Sequence, residues 1–126
     1  MDVKYINPFV ESVGDLFDSM LSCKATLDTI TSADPVVKHQ EIIGLIGLSG
    51  PIRGTVALIF PIPTVLKAVE RFTGLPANTV DSNVTDAVAE LVNIVAGGAK
   101  ARLNGHEAPM TISIPNVIKG MGHTVL

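Results

Sequence analysis

Ser82-Asn-Val84-Thr-Asp86-Ala-Val88-Ala-Glu90-Leu91-Val92-Asn93-Ile-Val95-Ala-Gly97-Gly98-Ala99-Lys-Ala-Arg-Leu103 carries the longest helical periodicity in the chain. At about 100° per residue, Val84, Val88, Leu91, Val92, Val95 and Ala99 fall on one side, which must meet a core. Asp86, Glu90 and Asn93 fall on the opposite side at i, i+4 and i+7, and Gly97 continues the row one turn later. On spacing alone, an ordinary solvated face accounts for such a row. Its composition points further. Asn is a mediocre helix former, and Gly costs about 1 kcal/mol relative to Ala in a helix interior, whereas a solubilising face would use Glu, Lys and Gln. Gly97 leaves bare backbone that a docking partner can approach, while Gly98 turns inward and suits close packing.

Upstream of this helix, Leu66, Val69 and Phe72 mark a shorter one after Pro63, closed by Gly74 in the C-cap role. Before it, Glu41 to Leu48 and Ile52 to Phe60 are two apolar runs around Ser49-Gly50-Pro51, which reads as a hairpin with largely buried strands. Lys24 to Ile30 is β-branched enough for a strand, ended by the turn Ser32-Ala-Asp-Pro35. From Pro8 to Leu21, Phe9, Val13, Leu16, Phe17, Met20 and Leu21 recur at helical spacing, with Asn7 as N-cap and Pro8 at the first helical position. Downstream, Met110 to Ile114 alternates as a strand that Pro115 ends or places at a sheet edge. The order is helix, three strands, two helices, strand. It predicts an α+β fold: an antiparallel sheet with helices packed on one side, in one domain spanning 1–126.

Of the 126 residues, 47% are hydrophobic and 17% charged, a globular balance rather than a disordered one. The net charge is −3, the basic residues are scattered and there is no Trp, so neither a nucleic-acid footprint nor a cationic membrane face is expected. The longest uncharged stretch, Gly54 to Leu66, holds 13 residues and two prolines, well short of the roughly 20 that span a bilayer. The N-terminus carries charges and no apolar run of signal-peptide type, so the cytoplasm is the expected compartment. Cys23 is alone among apolar neighbours and reads as a small buried hydrophobe, which excludes an internal disulfide. His39, His106 and His123 lack metal-ligand spacing and are read as surface or loop residues, so no metal site is expected.

Asp86-Ala-Val-Ala-Glu90-Leu-Val-Asn93 with Pro115 resembles the motif of the CheC and CheX chemotaxis phosphatases. In that motif an Asp or Ser is followed four positions on by Glu, three further by Asn, and at a distance by Pro. Here positions 94 to 114 separate Asn93 from Pro115. AELVNIVAGGAKARL, ISIPNVIKG and LSGPIRGTVALIFP are similar to the family's helix, following strand and central hairpin, so the resemblance covers nearly the whole chain. It implies hydrolysis of the aspartyl phosphate of a phosphorylated CheY-like response regulator. Asn93 and Glu90 would be the catalytic pair: the Asn93 amide is inserted to position the attacking water, and Glu90 docks a lysine of the regulator. Asp86 and Gly97 extend the partner-binding face, Pro115 shapes the end of a strand beside the helix, and Mg²⁺ comes with the regulator. A non-catalytic chemotaxis or flagellar-switch module that only docks partners is the alternative of the same fold.

The family is implied to be built from two related halves. Laying Asn7-Pro-Phe-Val-Glu11-Ser-Val-Gly14 on Asp86 to Asn93 matches Glu11 to Glu90 but puts Gly14 where the amide should stand. One working site follows, as in the CheX branch. The second half reads as shortened, since family members continue with further strands. Unpaired strand edges and a mean hydropathy of +0.44 lead to the expectation of a homodimer.

Overall fold

The computed structural model describes residues 3–21, 41–50, 52–103 and 110–120. In chain order the elements are α1 (Val3–Ser19), β1 (Glu41–Ser49), β2 (Gly54–Pro61), α2 (Ile62–Thr73), α3 (Ser82–Leu103), β3 (Thr111–Ile112) and β4 (Asn116–Gly120). The expected strand over Lys24 to Ile30, its turn at Ser32 to Pro35, Cys23 and the three histidines lie outside the described residues.

Among the described residues, β1 is the centre of a four-stranded antiparallel sheet. β2 pairs with it on one side, from Glu41 opposite Pro61 to Leu48 opposite Gly54. β3 and β4 both pair with it on the other. β3 and β4 are one interrupted strand: Leu48 stands opposite Ile112 and Leu45 opposite Asn116, so three residues, Ser113 to Pro115, face only Ile46 and Gly47. This is a β-bulge, a place where Pro is tolerated because no ladder donor is needed. Ser113 bridges it, donating its N–H to the Gly47 carbonyl at 3.0 Å and accepting the Gly47 N–H at its Oγ at 2.8 Å. The single strand expected over Met110 to Ile114 is therefore corrected. Only Thr111–Ile112 pairs there, and the chain resumes pairing after Pro115 rather than ending at it.

α3 lies across β1, β2 and β4, and α1 and α2 pack against α3. Val84, Val88, Leu91, Val92, Val95 and Ala99 are all buried, as the periodicity requires. Ile46 of β1 and Ile112 of β3 pack with Val92 and Ala96, while Ile42 joins Leu16, Val69, Val88 and Leu91 in the larger cluster. α3 starts at Ser82 because Asp81 caps it: Asp81 Oδ1 accepts the Val84 N–H at 3.1 Å, and its carbonyl accepts the Thr85 N–H at 3.1 Å. α2 ends at Gly74, which takes φ 74°, a left-handed cap conformation that favours Gly.

α1 begins at Val3, not at Pro8, and Pro8 is buried inside it. A Pro in the second turn removes one backbone bond, a loss that a helix packed along its apolar face tolerates. Leu16 and Leu21 are buried and Phe9, Val13 and Phe17 pack against the core, but Met20, expected inside, is 46% exposed beyond the last helical turn.

α1 meets α3 at Gly98. Ser12, buried at 4% exposure, donates its Oγ–H to the Val95 carbonyl at 2.8 Å, and a Cβ on Gly98 would overlap that Oγ. Gly98→Ala gains helix propensity of about 1 kcal/mol, but it forces Ser12 to turn away and orphans a buried hydroxyl, which costs about 1–3 kcal/mol beyond the crowding. We expect net destabilisation in thermal unfolding, partly relieved by Ser12→Ala. Gly97→Ala, with nothing within 4 Å of the new Cβ, should be neutral or stabilising. Equal melting temperatures for Gly98→Ala and wild type would contradict this packing.

Candidate functional site

Asp86, Glu90, Asn93 and Gly97 occupy one face of α3, turned away from the core. Asp86 and Glu90 are exposed, and Asn93 and Gly97 are half-buried. The row is held rigidly, because every turn of the opposite face is buried: Val88 and Leu91 are 0% exposed and Val95 is 1% exposed. Among the described residues Glu90 makes no ion pair and the Asn93 side chain makes no hydrogen bond. The two groups three residues apart are thus uncommitted among the described residues. An exposed carboxylate can accept from a cation, and the adjacent neutral amide offers one acceptor and two donors. Over Gly97 the backbone is open, with nothing within 4 Å of where a Cβ would stand.

Pro115 is not on this helix. It sits half-buried in the bulge, three residues after Ile112, whose side chain packs with Val92 and Ala96 on either side of Asn93 in sequence. The bulge therefore belongs to the support on which α3 rests. Among the described residues, no group of three or more His, Cys, Asp or Glu side chains converges as a metal site would.

The first-half copy on α1 has the matching exposure and a different electrostatic setting. Asn7 and Glu11 are exposed and Gly14 has open space at its Cβ. Unlike Glu90, however, Glu11 is engaged: Arg102 Nε donates to Glu11 Oε2 at 3.2 Å, and its Nη2 reaches Asp15. Arg102 also donates to the Gly98 carbonyl at 3.1 Å, at the end of α3 where a cation offsets the helix dipole. Sequence reading passes over Arg102 because its carboxylate partners lie more than 80 positions away. It passes over Asp81 too, although an Asp just before an apolar-periodic run is itself a capping signal.

The family model for the chemotaxis phosphatase CheX matches residues 42–126. The chain belongs to the CheX chemotaxis phosphatase family. A relative from Thermotoga maritima, described as CheY-P phosphatase CheX, is 28% identical over 125 residues, covering 95% of this chain and 78% of that one. The crystal structure of a CheC-like superfamily protein from Shewanella sp. PV-4 superposes with a TM-score of 0.89 at 30% identity, over 100% of this chain and 82% of that one. CheX of Borrelia burgdorferi, solved as a CheX–CheY–BeF₃–Mg²⁺ complex, shares the fold with a TM-score of 0.74 at 21% identity, over 90% and 75% of the two chains. The resemblance expected from the Asp86–Asn93 row and the α+β architecture are both borne out. No described helix is long and apolar enough to cross a membrane.

Proposed function

We propose that this chain accelerates hydrolysis of the aspartyl phosphate of a CheY-like response regulator, with Asn93 positioning the attacking water and Glu90 docking the regulator. One observation carries the reading: in a CheX-family chain, Glu90 and Asn93 stand uncommitted on the solvent face of a helix whose other face is the core. The Thermotoga relative described as a CheY-P phosphatase supports the substrate class.

Phosphoryl transfer to water needs in-line positioning and charge stabilisation more than covalent chemistry. A carboxamide suits the positioning task. Its carbonyl accepts from the water, its NH₂ donates, and it stays neutral beside a polyanionic phosphoryl group that a carboxylate would repel. Glu90 pairs with a lysine beside the phosphorylated Asp and so fixes the angle at which the amide enters. Asp86 and Gly97 extend the docking surface, the first by charge and the second by letting the partner approach the backbone. Pro115 acts through the bulge beneath α3. Mg²⁺ arrives bound to the phosphorylated regulator, as part of the substrate complex.

The test is decay of phosphorylated receiver domains, offered as a panel, with and without the protein. Acceleration of at least one receiver supports the reading. Tight binding of a receiver with unchanged decay would replace it with a docking module. We also propose that the protein is cytoplasmic and a homodimer, joined through sheet edges or the helices near the C-terminal end. The sheet edges are supported because, among the described residues, β2 and the β3–β4 strand each pair only with β1, and unpaired edges invite pairing. Light scattering at tens of micromolar should return twice the chain mass, and a monomer there contradicts it.

A further inference from the structure

We infer that the regulator's footprint extends beyond Glu90 and Asn93 into a cleft between the α2–α3 loop and the first turns of α3, where the receiver places an apolar side chain flanked by a lysine or arginine. The inference rests on the phosphatase reading and adds a second contact to it.

The cleft measures about 530 Å³; buried Val69, Val84 and Ala87 lie beneath it, half-buried Phe72 gives it an apolar wall, and the rest of its lining mixes apolar residues with polar ones such as Asn78 and Asn83. Leu75 projects at its lip with 66% of its surface exposed. Single exposed leucines need no explanation, but this one stands on the part of the loop that is pinned back onto α2. The Gly74 N–H bonds the Glu70 carbonyl at 2.8 Å, the Leu75 N–H bonds Thr73 Oγ1 at 3.2 Å, and the Ala77 N–H bonds Glu70 Oε2 at 3.0 Å. The loop then runs into the Asp81 cap. A large aliphatic group held in solvent on a rigid support loses little entropy when it binds, which is the property of an interface anchor.

Charge and distance choose the occupant. Among the described residues, the charged ones lining the cleft are Asp81 and Asp86, and Asp86 also opens the row that carries Glu90 and Asn93. Toward its other end α3 carries Lys100 and Arg102 instead. At that end the nearby carboxylates, Glu11 and Asp15 of α1, are already engaged by Arg102, so a receiver that offers a cation to Glu90 meets uncommitted carboxylate in the direction of the cleft. At 1.5 Å per residue, Asp86 lies about 10 Å along the helix from Asn93. A specific interface buries about 800 Å² on each partner, a disc of about 16 Å radius. A footprint centred on Asn93 and drawn toward the acidic end thus covers the cleft's lip.

The experiment uses a receiver that the wild type dephosphorylates, with decay followed over a range of phospho-receiver concentrations and affinity measured for its BeF₃⁻–Mg²⁺ form. Leu75→Ser should raise KM and Kd by about fivefold or more while kcat stays within twofold, the pattern of lost binding that is uniform between ground and transition state. Met20→Ser, an exposed apolar position just after α1 that does not line the cleft, should leave all three unchanged. If the wild type accelerates decay but Leu75→Ser keeps KM and Kd within twofold, the cleft is not part of the footprint and the phosphatase reading stands. A fall in melting temperature of more than about 5 °C for Leu75→Ser would show that Leu75 serves this chain's own packing, and would also overturn the inference. If no receiver is dephosphorylated by the wild type, the parent reading falls and takes the cleft with it.

Discussion

Asn93→Ala should lower the maximal rate of regulator dephosphorylation by roughly a hundredfold or more, while affinity for the BeF₃⁻–Mg²⁺ form of the regulator changes by less than about threefold. The magnitude follows from what removal of one preorganised polar group costs in other active sites. The split between rate and affinity follows from position. The Asn93 amide makes no hydrogen bond among the described residues, so its removal leaves no partner orphaned inside the chain, and Ala is the better helix former there. The melting temperature should therefore hold or rise slightly. If the amide acts on the attacking water, its interaction exists mainly in the transition state, and its loss appears in kcat. Glu90→Ala should behave differently. Its carboxylate is proposed to pair with a receiver lysine in the complex itself, so KM and Kd should rise along with the loss of rate, more strongly at low salt than at high. Should Asn93→Ala accelerate decay as well as wild type does, the mechanism assigned to the amide is wrong. Should both variants lose affinity in step, the row is a docking surface and nothing more.

The same row shows how far the sequence could be read. α3 runs Ser82–Leu103, as its periodicity indicates, because a 22-residue helix with one buried face leaves little freedom in its assignment. The hairpin and the Gly74 cap were legible for similar local reasons: two apolar runs around a turn, and a residue suited to positive φ. The misses lie where a long-range contact overrides a local signal. Pro8 looks like a helix start, yet Val3 to Asn7 already belong to the helix that packs on α3. Pro115 looks like a strand end or an edge position. The edge holds among the described residues, but the strand does not stop there, because a bulge bridged by the Ser113 side chain absorbs the proline and pairing resumes at Asn116. Sequence spacing placed Asp86, Glu90, Asn93 and Gly97 on one face. It could not reveal that Arg102 occupies Glu11 in the sister helix while Glu90 stays open, since that difference is made by side chains meeting across the fold.

Gly44 is the plainest case of a residue whose importance only the assembled fold exposes, and it predicts the largest loss of stability. In Glu41-Ile-Ile-Gly44-Leu-Ile-Gly47-Leu the glycine reads as a weak spot in a strand. In the structure it is buried where α3 crosses β1: a Cβ there would stand 3.1 Å from Val88 Cγ1 and 3.3 Å from Val92 Cβ. Gly44→Ala asks these two side chains to yield by a few tenths of an ångström. Gly44→Val adds two further methyl groups in the same gap, under a helix face with no exposed residue to move aside. Overpacking of this kind costs about 1–3 kcal/mol and sometimes more, a large part of the 5–15 kcal/mol that holds a domain together. We expect a drop in melting temperature of about 5 °C or more for Gly44→Val and a clearly smaller change for Gly44→Ala. Activity should tell a separate story. Glu90 and Asn93 ride on the same helix, so lifting α3 off the sheet as a rigid body leaves their mutual geometry intact, and the folded fraction at low temperature should retain kcat within about threefold. A hundredfold loss of kcat in well-folded Gly44→Val would mean that the reacting geometry spans α3 and the sheet together, and would move the bulge at Pro115 from support to participant.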